Sequence, residues 1–283
     1  MNVFYCKPTG KVFPGIGDPP VLNRHRPFVS KPGYILSYCA MKTVEIVVVG
    51  GCHVLGWPQS KARPFPTLLS ELVGAKVVGQ VPHLRLSHME GGLAAVNELH
   101  PTHAVFQMGN YEFTGYLKTL IHQYNYLFNT RLVEEKLAHY SKKTQPETAG
   151  AEAMTRTEAG PSYYARVGAA GALITGLWLF SRQYRANFRS LEACARQHPD
   201  TSFIFLSPLP CLAPVDNTMR RFGGWLLRHR LPTLSNVHWL DSHQLLGAEA
   251  ELFVDEAHLN QRAHQALAYG LAAVMLGHAG GQF

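Results

Sequence analysis

Residues 44–56, with the sequence VEIVVVGGCHVLG, join an apolar run to a glycine-rich turn that contains a cysteine. An uninterrupted run of valine and isoleucine predicts a strand buried on both faces, as in a parallel sheet. Reactive groups in such sheets follow the carboxyl ends of the strands. We therefore predict a buried strand over about 44–49 that delivers Cys52 to the functional edge of the sheet.

A second segment near the C-terminus supplies a carboxylate and an imidazole. Residues 254–259 read VDEAHL and precede an apolar helical pattern over about 260–276. A nucleophile, a base and a group that orients the base are the parts of a covalent catalytic site. Cys52, His258 and Asp255 provide these residue types, with the nucleophile first in the chain and the Asp and His last.

This order and these flanks resemble the SGNH/GDSL hydrolase family, over about residues 43–277. The last block of that family, Asp-x-x-His before the final helix, is intact at residues 255–258. The first block is Gly-Asp-Ser-x-x-x-Gly after the first strand, and its outer glycines match Gly50 and Gly56. Gly51 replaces its Asp, and Cys52 stands where the nucleophilic Ser would be.

The third block of the family, Gly-x-Asn-Asp, aligns with Gly109, Asn110, Tyr111 and Glu112. The alignment places Tyr111 at the position of the Asn that binds the oxyanion, with Asn110 one residue earlier. Two structural alternatives stay open, since a Tyr at a strand end is often a core residue and Glu112 could be a solvated loop acid. None of three glycines marks the second block convincingly: Gly79, Gly91 and Gly92.

The expected chemistry follows from the residue types. His258 would take the thiol proton or hold it in an ion pair, and Asp255 would orient the imidazole. The start of a helix after Cys52 would lower the thiol pKa. The alternatives are a Cys52 that only fills space and a His258 on the surface at a helix start. We rank His53 below His258, because neighbouring side chains usually point apart.

The elements alternate between short apolar strands and helices, which predicts a three-layer α/β/α sandwich with a central parallel sheet, SGNH/flavodoxin-like. Asp216 is expected to cap a helix. The apolar run 167–180 is shorter than the roughly 20 residues that span a bilayer, so we favour a buried or partner-packed helix over membrane contact. Strands are predicted over 44–49, 76–79, 102–108, 202–206 and 236–240, and helices over 65–73, 84–99, 116–140, 182–198, 216–229 and 260–276.

The positive charge is concentrated at the N-terminus. The formal net charge of the chain is +7, of which residues 1–42 carry +5, and this removes most support for a nucleic-acid partner. We predict a disordered basic leader over 1–42, one domain over 43–277 with a mobile insertion at 141–161, and a tail at 278–283. The leader lacks the features of a secretory signal, which favours a cytoplasmic protein.

The resemblance implies ester hydrolysis or O-acyl transfer, with carbohydrate acyl groups as the commonest substrates. Gly51-Cys52-His53 is more loosely similar to a polysaccharide-biosynthesis acetyltransferase family with a Cys-His pair, so acyl-coenzyme A is a possible co-substrate. The five cysteines lack metal-ligand spacing, and we expect free thiols, no metal and no cofactor. The alternative is a non-catalytic protein that binds a ligand or glycan in the same crevice. The oligomeric state stays open.

Overall fold

Five short strands form one parallel sheet in the computed structural model, which describes residues 43–56, 63–82, 84–130, 160–247 and 249–277. The spatial order is β2-β1-β3-β4-β5, and all neighbouring pairs are parallel. The order reverses between β1 and β3, where α/β sheets form a crevice outside the strand ends. The strands are β1 (Glu45–Gly50), β2 (Lys76–Val81), β3 (His103–Gln107), β4 (Ser202–Leu206) and β5 (Val237–Leu240).

Helices cover both faces of this sheet, which confirms the predicted three-layer α/β/α architecture. Along β1, Val47 and Val49 join the buried cluster to which α2, α3, α4, α5 and α6 contribute, while Ile46 and Val48 join the cluster of α1, α7 and α8. The helices are α1 (Phe65–Val73), α2 (Glu90–Leu99), α3 (Leu117–Phe128), α4 (Pro161–Phe180), α5 (Arg182–Gln197), α6 (Pro214–Arg228), α7 (Ser242–Leu246) and α8 (Gln261–Met275).

Several predicted bounds change in the structure. The single helix expected over 84–99 is a 3-10 turn at Leu86–His88 followed by α2. The helix expected over 116–140 ends at Phe128, because Asn129 adopts the left-handed conformation with φ 49°. Most of the predicted insertion at 141–161 lies outside the described residues, as do the predicted leader and tail; Pro161 already belongs to α4.

The apolar run over 167–180 forms the greater part of α4. Its buried side chains are Ala170, Ile174, Leu177 and Trp178, and the helix packs against α3 and α6. Among the described residues, no helix is both long enough and apolar enough to cross a membrane. The expectation of a packed helix is therefore met on one face of α4.

The prediction that Asp216 caps a helix is wrong. The N-cap of α6 is Ala213, and the Asp216 carboxylate instead accepts hydrogen bonds from the Gly115 N–H and the Thr114 hydroxyl. A capping position cannot be told from a first-turn position without the backbone geometry. The consequence is that Asp216 fastens the loop after β3 to α6, beside the candidate site.

Candidate active site

Cys52 lies at the carboxyl end of β1, half-buried, in a tight turn. Gly51 precedes a single 3-10 turn at Cys52–Leu55, and Gly56 closes it with φ 74° in the left-handed region. The family resemblance matched a glycine to this position, and the backbone requires one. The helix expected after Cys52 is reduced to this single turn, so the predicted helix field is correspondingly smaller.

β1 approaches β3 closely just before the cysteine. A Cβ atom on Gly50 would lie 2.6 Å from the Gln107 carbonyl oxygen and 2.8 Å from Val54 Cγ2, so only glycine fits there. The Gly51 N–H donates to Gln107 Oε1 at 3.2 Å. These contacts fix the backbone that carries the Cys52 side chain.

Asp255 and His258 lie in a short loop before α8 that is closed on itself. The Val254 N–H donates to the His258 carbonyl oxygen at 2.9 Å. Asp255 Oδ1 accepts from the backbone N–H groups of Ala257 at 2.8 Å and His258 at 2.9 Å. His258 Nδ1 lies 2.8 Å from Asp255 Oδ2. The carboxylate thus holds both the backbone and the ring of His258.

The structure brings Cys52 and this loop together. The thiol lies close enough to the His258 ring to raise the pKa of His258; burial opposes this rise, and Asp255 adds to it. Burial would raise the pKa of Asp255, but hydrogen bonds from the Ala257 N–H and from His258 outweigh it and lower that pKa. With Nδ1 on Asp255, Nε2 is the nitrogen left for the thiol. Such an arrangement can hold a thiolate beside an imidazolium.

The predicted oxyanion residues Gly109, Asn110 and Tyr111 follow β3, which is the neighbour of β1 in the sheet. Gly109 has φ 96°. The Asn110 side-chain oxygen accepts from the Leu209 N–H at 2.7 Å, which leaves its NH2 group as a possible donor. Tyr111 is 39% exposed, with the Arg85 guanidinium 4.0 Å from its ring centroid. Tyr111 is therefore a surface residue, and the alternative of a core tyrosine is wrong.

Glu112 is a buried acid, not the solvated loop acid that we considered. It is 4% exposed, and its carboxylate accepts from the Leu86 N–H at 2.8 Å. Burial raises its pKa to about 7. Glu112 occupies the position of the third-block Asp, which is the one sequence signal for its importance. It joins the loop after β3 to the loop after β2.

Gln107 is a site residue that our sequence analysis missed. It ends β3 beside Gly50, is fully buried, and uses Oε1 to hold the Gly51 N–H. Its Nε2 group is buried without a hydrogen-bond partner among the described residues. A polar residue at the end of an otherwise apolar strand was the available signal. Of the glycines considered for the second block, Gly79 lies within β2, and Gly91 and Gly92 lie within α2.

The described part of the chain holds no group of three or more His, Cys, Asp or Glu side chains arranged for a metal ion. Cys194 and Cys211 are buried free thiols, and burial raises the pKa of each to about 11. The remaining two cysteines, Cys6 and Cys39, lie outside the described residues.

No family model matches the chain, and no curated protein matches it significantly. Several solved structures are similar to it. A carbohydrate acetylesterase family member from Sinorhizobium meliloti is 11% identical with a TM-score of 0.48, covering 83% of this chain and 100% of the other. A protein assigned to the G-D-S-L lipolytic family, from Desulfitobacterium hafniense, is 13% identical with a TM-score of 0.45, covering 82% and 99%.

A catalytic variant of an acetylxylan esterase from Geobacillus stearothermophilus is 14% identical with a TM-score of 0.45, covering 84% of this chain and 95% of the other. At these identities the similarity concerns the fold and not the substrate. The cysteine turn after β1 and the Asp255 to His258 loop before the last helix stand in the chain order of the SGNH/GDSL blocks that the sequence resembles.

Proposed function

We propose that the chain is an acyl-transfer enzyme in which Cys52 is the nucleophile. One observation carries the proposal: the Asp255 carboxylate contacts the ring of His258, and the Cys52 thiol lies near enough to that ring to raise its pKa. Residues from β1 and from the loop before α8, about 200 positions apart, meet as nucleophile, base and orienting group. A cysteine that only filled space would need neither the imidazole nor the carboxylate.

The reaction would proceed through a thioester. The Cys52 thiolate attacks the acyl carbon, the bond from that carbon to the leaving atom breaks, and the His258 imidazolium gives its proton to that atom, which is oxygen in an ester and sulfur in acyl-coenzyme A. Water or an acceptor hydroxyl then attacks the thioester, His258 takes the proton of the attacking group, and the thiolate leaves. Asp255 stabilises the imidazolium in both steps.

The developing oxyanion needs donors, and losing one typically costs about 10²–10³ in rate. The Cys52 N–H, the Asn110 NH2 group and the Tyr111 hydroxyl are the candidates at the ends of β1 and β3. We add the buried Nε2 group of Gln107, which is unpartnered among the described residues and lies at the end of β3. The family resemblance suggests carbohydrate acyl esters as the substrate class, with acyl-coenzyme A as a donor if the reaction is transfer.

The test is intact-protein mass spectrometry after incubation with 4-nitrophenyl acetate or with acetyl-coenzyme A. We expect one acetyl adduct on the parent and none on Cys52→Ala, while Cys194→Ala, which removes a thiol elsewhere, keeps the adduct. Decay of the adduct in buffer measures hydrolysis, and faster decay with added xylo-oligosaccharide measures transfer.

Two further variants separate the roles of base and orienting group. His258→Ala should abolish the adduct, whereas Asp255→Asn should slow its formation less, because the carboxylate orients the ring and does not move the proton. If no donor gives an adduct and His258→Ala leaves the alkylation of Cys52 unchanged from pH 5 to 9, the enzyme proposal fails. The non-catalytic binding protein would then be the better account.

A further inference from the structure

Three histidine rings form a row that leads from the candidate site into the core. The His258 and His53 ring centroids are 5.6 Å apart, and those of His53 and His264 are 6.1 Å apart. His258 lies at the surface end, whereas His53 is 1% exposed and His264 is fully buried. The proposed reaction uses only His258, so the two buried rings need a separate explanation.

Both buried rings carry a nitrogen without a partner among the described residues. These are Nδ1 of His53 and Nε2 of His264. Nδ1 of His264 accepts from the Phe65 N–H at 3.3 Å, so its ring proton lies on Nε2. Leaving buried polar atoms unpaired costs about 1–3 kcal/mol each, and an apolar residue would avoid that cost.

Burial keeps both rings neutral, and neighbouring charges add to this effect at His53. Burial lowers the pKa of His264 to about 4. The pKa of His53 is well below its usual value because of burial and then because of His264, His258 and Arg220. His53 is therefore a poor base, and as a neutral ring it can lie beside an imidazolium at His258 without repelling it.

His53 also contacts the loop that carries the base. Its ring lies near the Ala257 carbonyl, which favours the protonated form of His53 and raises its pKa against the larger effect of burial. The next N–H along the chain, that of His258, donates to Asp255 Oδ1 at 2.9 Å. That carbonyl and that N–H belong to one planar peptide unit. The peptide that enters His258 is thus held by Asp255 through its N–H, and its carbonyl lies on the side of His53.

From this geometry we propose that His53 is a positioning residue that couples the nucleophile turn to the base loop. Because His53 follows Cys52 directly and its buried ring packs with its centroid 5.6 Å from that of His258, it fixes the distance between the thiol and the imidazole. The inference rests on the proposed function in one respect, that His258 is the partner of Cys52. It deepens that function by assigning a role to a buried residue that touches neither substrate nor the reacting atoms.

The test is the pH dependence of Cys52 alkylation by iodoacetamide in the full chain. Iodoacetamide reacts with the thiolate, so the profile measures how readily Cys52 gives up its proton beside His258. His53→Leu should move the midpoint upward by about one pH unit or more, as the ring of His258 loses its fixed position. His53→Gln should restore at least half of that shift, because its amide N–H can donate to the Ala257 carbonyl.

His243→Leu is the matched control. His243 is also partly buried, has a pKa lowered to about 4 by burial and carries an unpartnered buried Nε2, but no described contact joins it to Cys52 or His258. Its alkylation profile should equal that of the parent. Thermal melts of every variant show whether it is folded.

Two results would overturn the inference: a parent-like profile for His53→Leu, or equal shifts in His53→Leu and His53→Gln, which would make ring volume and not the donor decisive. The His258→Ala profile separates this failure from that of the proposed function. If His258→Ala leaves the profile unchanged, the Cys52 and His258 pair itself is wrong. If His258→Ala moves it and His53→Leu does not, only the role of His53 is wrong.

Discussion

Cys52 differs from the other described cysteines in its surroundings. It is half-buried at the edge of the sheet beside His258, whereas Cys194 and Cys211 are 3% and 1% exposed. Burial raises the pKa of both of these thiols to about 11, which leaves almost no thiolate at neutral pH. The reactive form of a cysteine is the thiolate. The difference in environment therefore predicts a difference in reactivity.

We expect Cys52 to be alkylated first when the chain is treated with limiting iodoacetamide at pH 7. The physical reason is its exposure together with a neighbouring imidazole that can hold the proton. Peptide mapping of the labelled protein measures the order of modification. Preferential labelling of Cys194 or Cys211 under native conditions would count against Cys52 as the nucleophile.

At the residue scale, the sequence was sufficient to predict a contact where the spacing of two residues along the chain determines it. Asp255 and His258 are three positions apart, and the loop brings their side chains to 2.8 Å. It was insufficient for Glu112 and Gln107, because their roles depend on burial against other parts of the chain. Glu112 bonds to an N–H that is 26 positions away. Local sequence patterns hold no information about such a partner.

Among the elements, α6 packs closely against the loop that carries the oxyanion candidates. A Cβ atom on Gly223 would lie 2.0 Å from the Phe113 ring, which directly follows Glu112. Gly168 on α4, by contrast, faces open space. The two glycines therefore serve different purposes although both lie within helices. Gly223 allows α6 to approach Phe113 closely, whereas no neighbouring atom requires a glycine at position 168.

We expect Gly223→Ala to destabilise the protein by about 1–3 kcal/mol, the usual cost of overpacking a core. Gly168→Ala should instead stabilise it by about 0.5–1 kcal/mol, because alanine loses less backbone entropy in a helix. Chemical denaturation of both variants measures the difference. A Gly223→Ala protein as stable as the parent would show that α6 does not pack on Phe113 as described.

The predicted elements were most accurate where apolar periodicity is strong. α1 and β4 have the predicted bounds, Phe65–Val73 and Ser202–Leu206. α7, Ser242–Leu246, was missed because five residues are too few to show a helical period. The helix expected over 84–99 was too long, because a periodic apolar pattern does not distinguish a 3-10 turn from the first turn of an α-helix.

At the scale of the whole molecule, alternating strands and helices predicted the three-layer fold, and the strand order came only from the structure. That order places β1 next to β3, so the turn of Cys52 and the Gly109 to Glu112 loop flank the same crevice. Nothing in the sequence pairs these strands, since their contacts are set by packing over the full sheet. The family resemblance was the one guide to their proximity.

The buried histidines predict how stability changes with pH. The pKa values of His264 and His243 are about 4, and those of His53 and His103 are also lowered, mainly by burial. The unfolded chain, with values near 6.5, binds protons that the folded chain cannot bind between about pH 6.5 and 4. Stability should therefore fall as the pH drops through this window.

Glu112 acts in the opposite direction, because its pKa of about 7 makes the folded chain bind a proton that the unfolded chain loses above about pH 4.5. His258, whose pKa is also raised, acts in the same direction as Glu112. Four histidines outweigh these two groups, so we expect lower stability at pH 5 than at pH 7.5. Each proton by which the folded and unfolded chains differ changes the free energy of unfolding by about 1.4 kcal/mol per pH unit. Urea denaturation at several pH values tests this, and greater stability at pH 5 would contradict it.

The claim that Cys52 forms a covalent acyl intermediate is central to the proposed function, and pre-steady-state kinetics with 4-nitrophenyl acetate test it most directly. A covalent intermediate that breaks down more slowly than it forms gives a burst of 4-nitrophenolate before the steady rate. We predict a burst of about one equivalent per folded chain in the parent protein and no burst in Cys52→Ala. A burst of the same size in Cys52→Ala would place the nucleophile elsewhere and contradict the account.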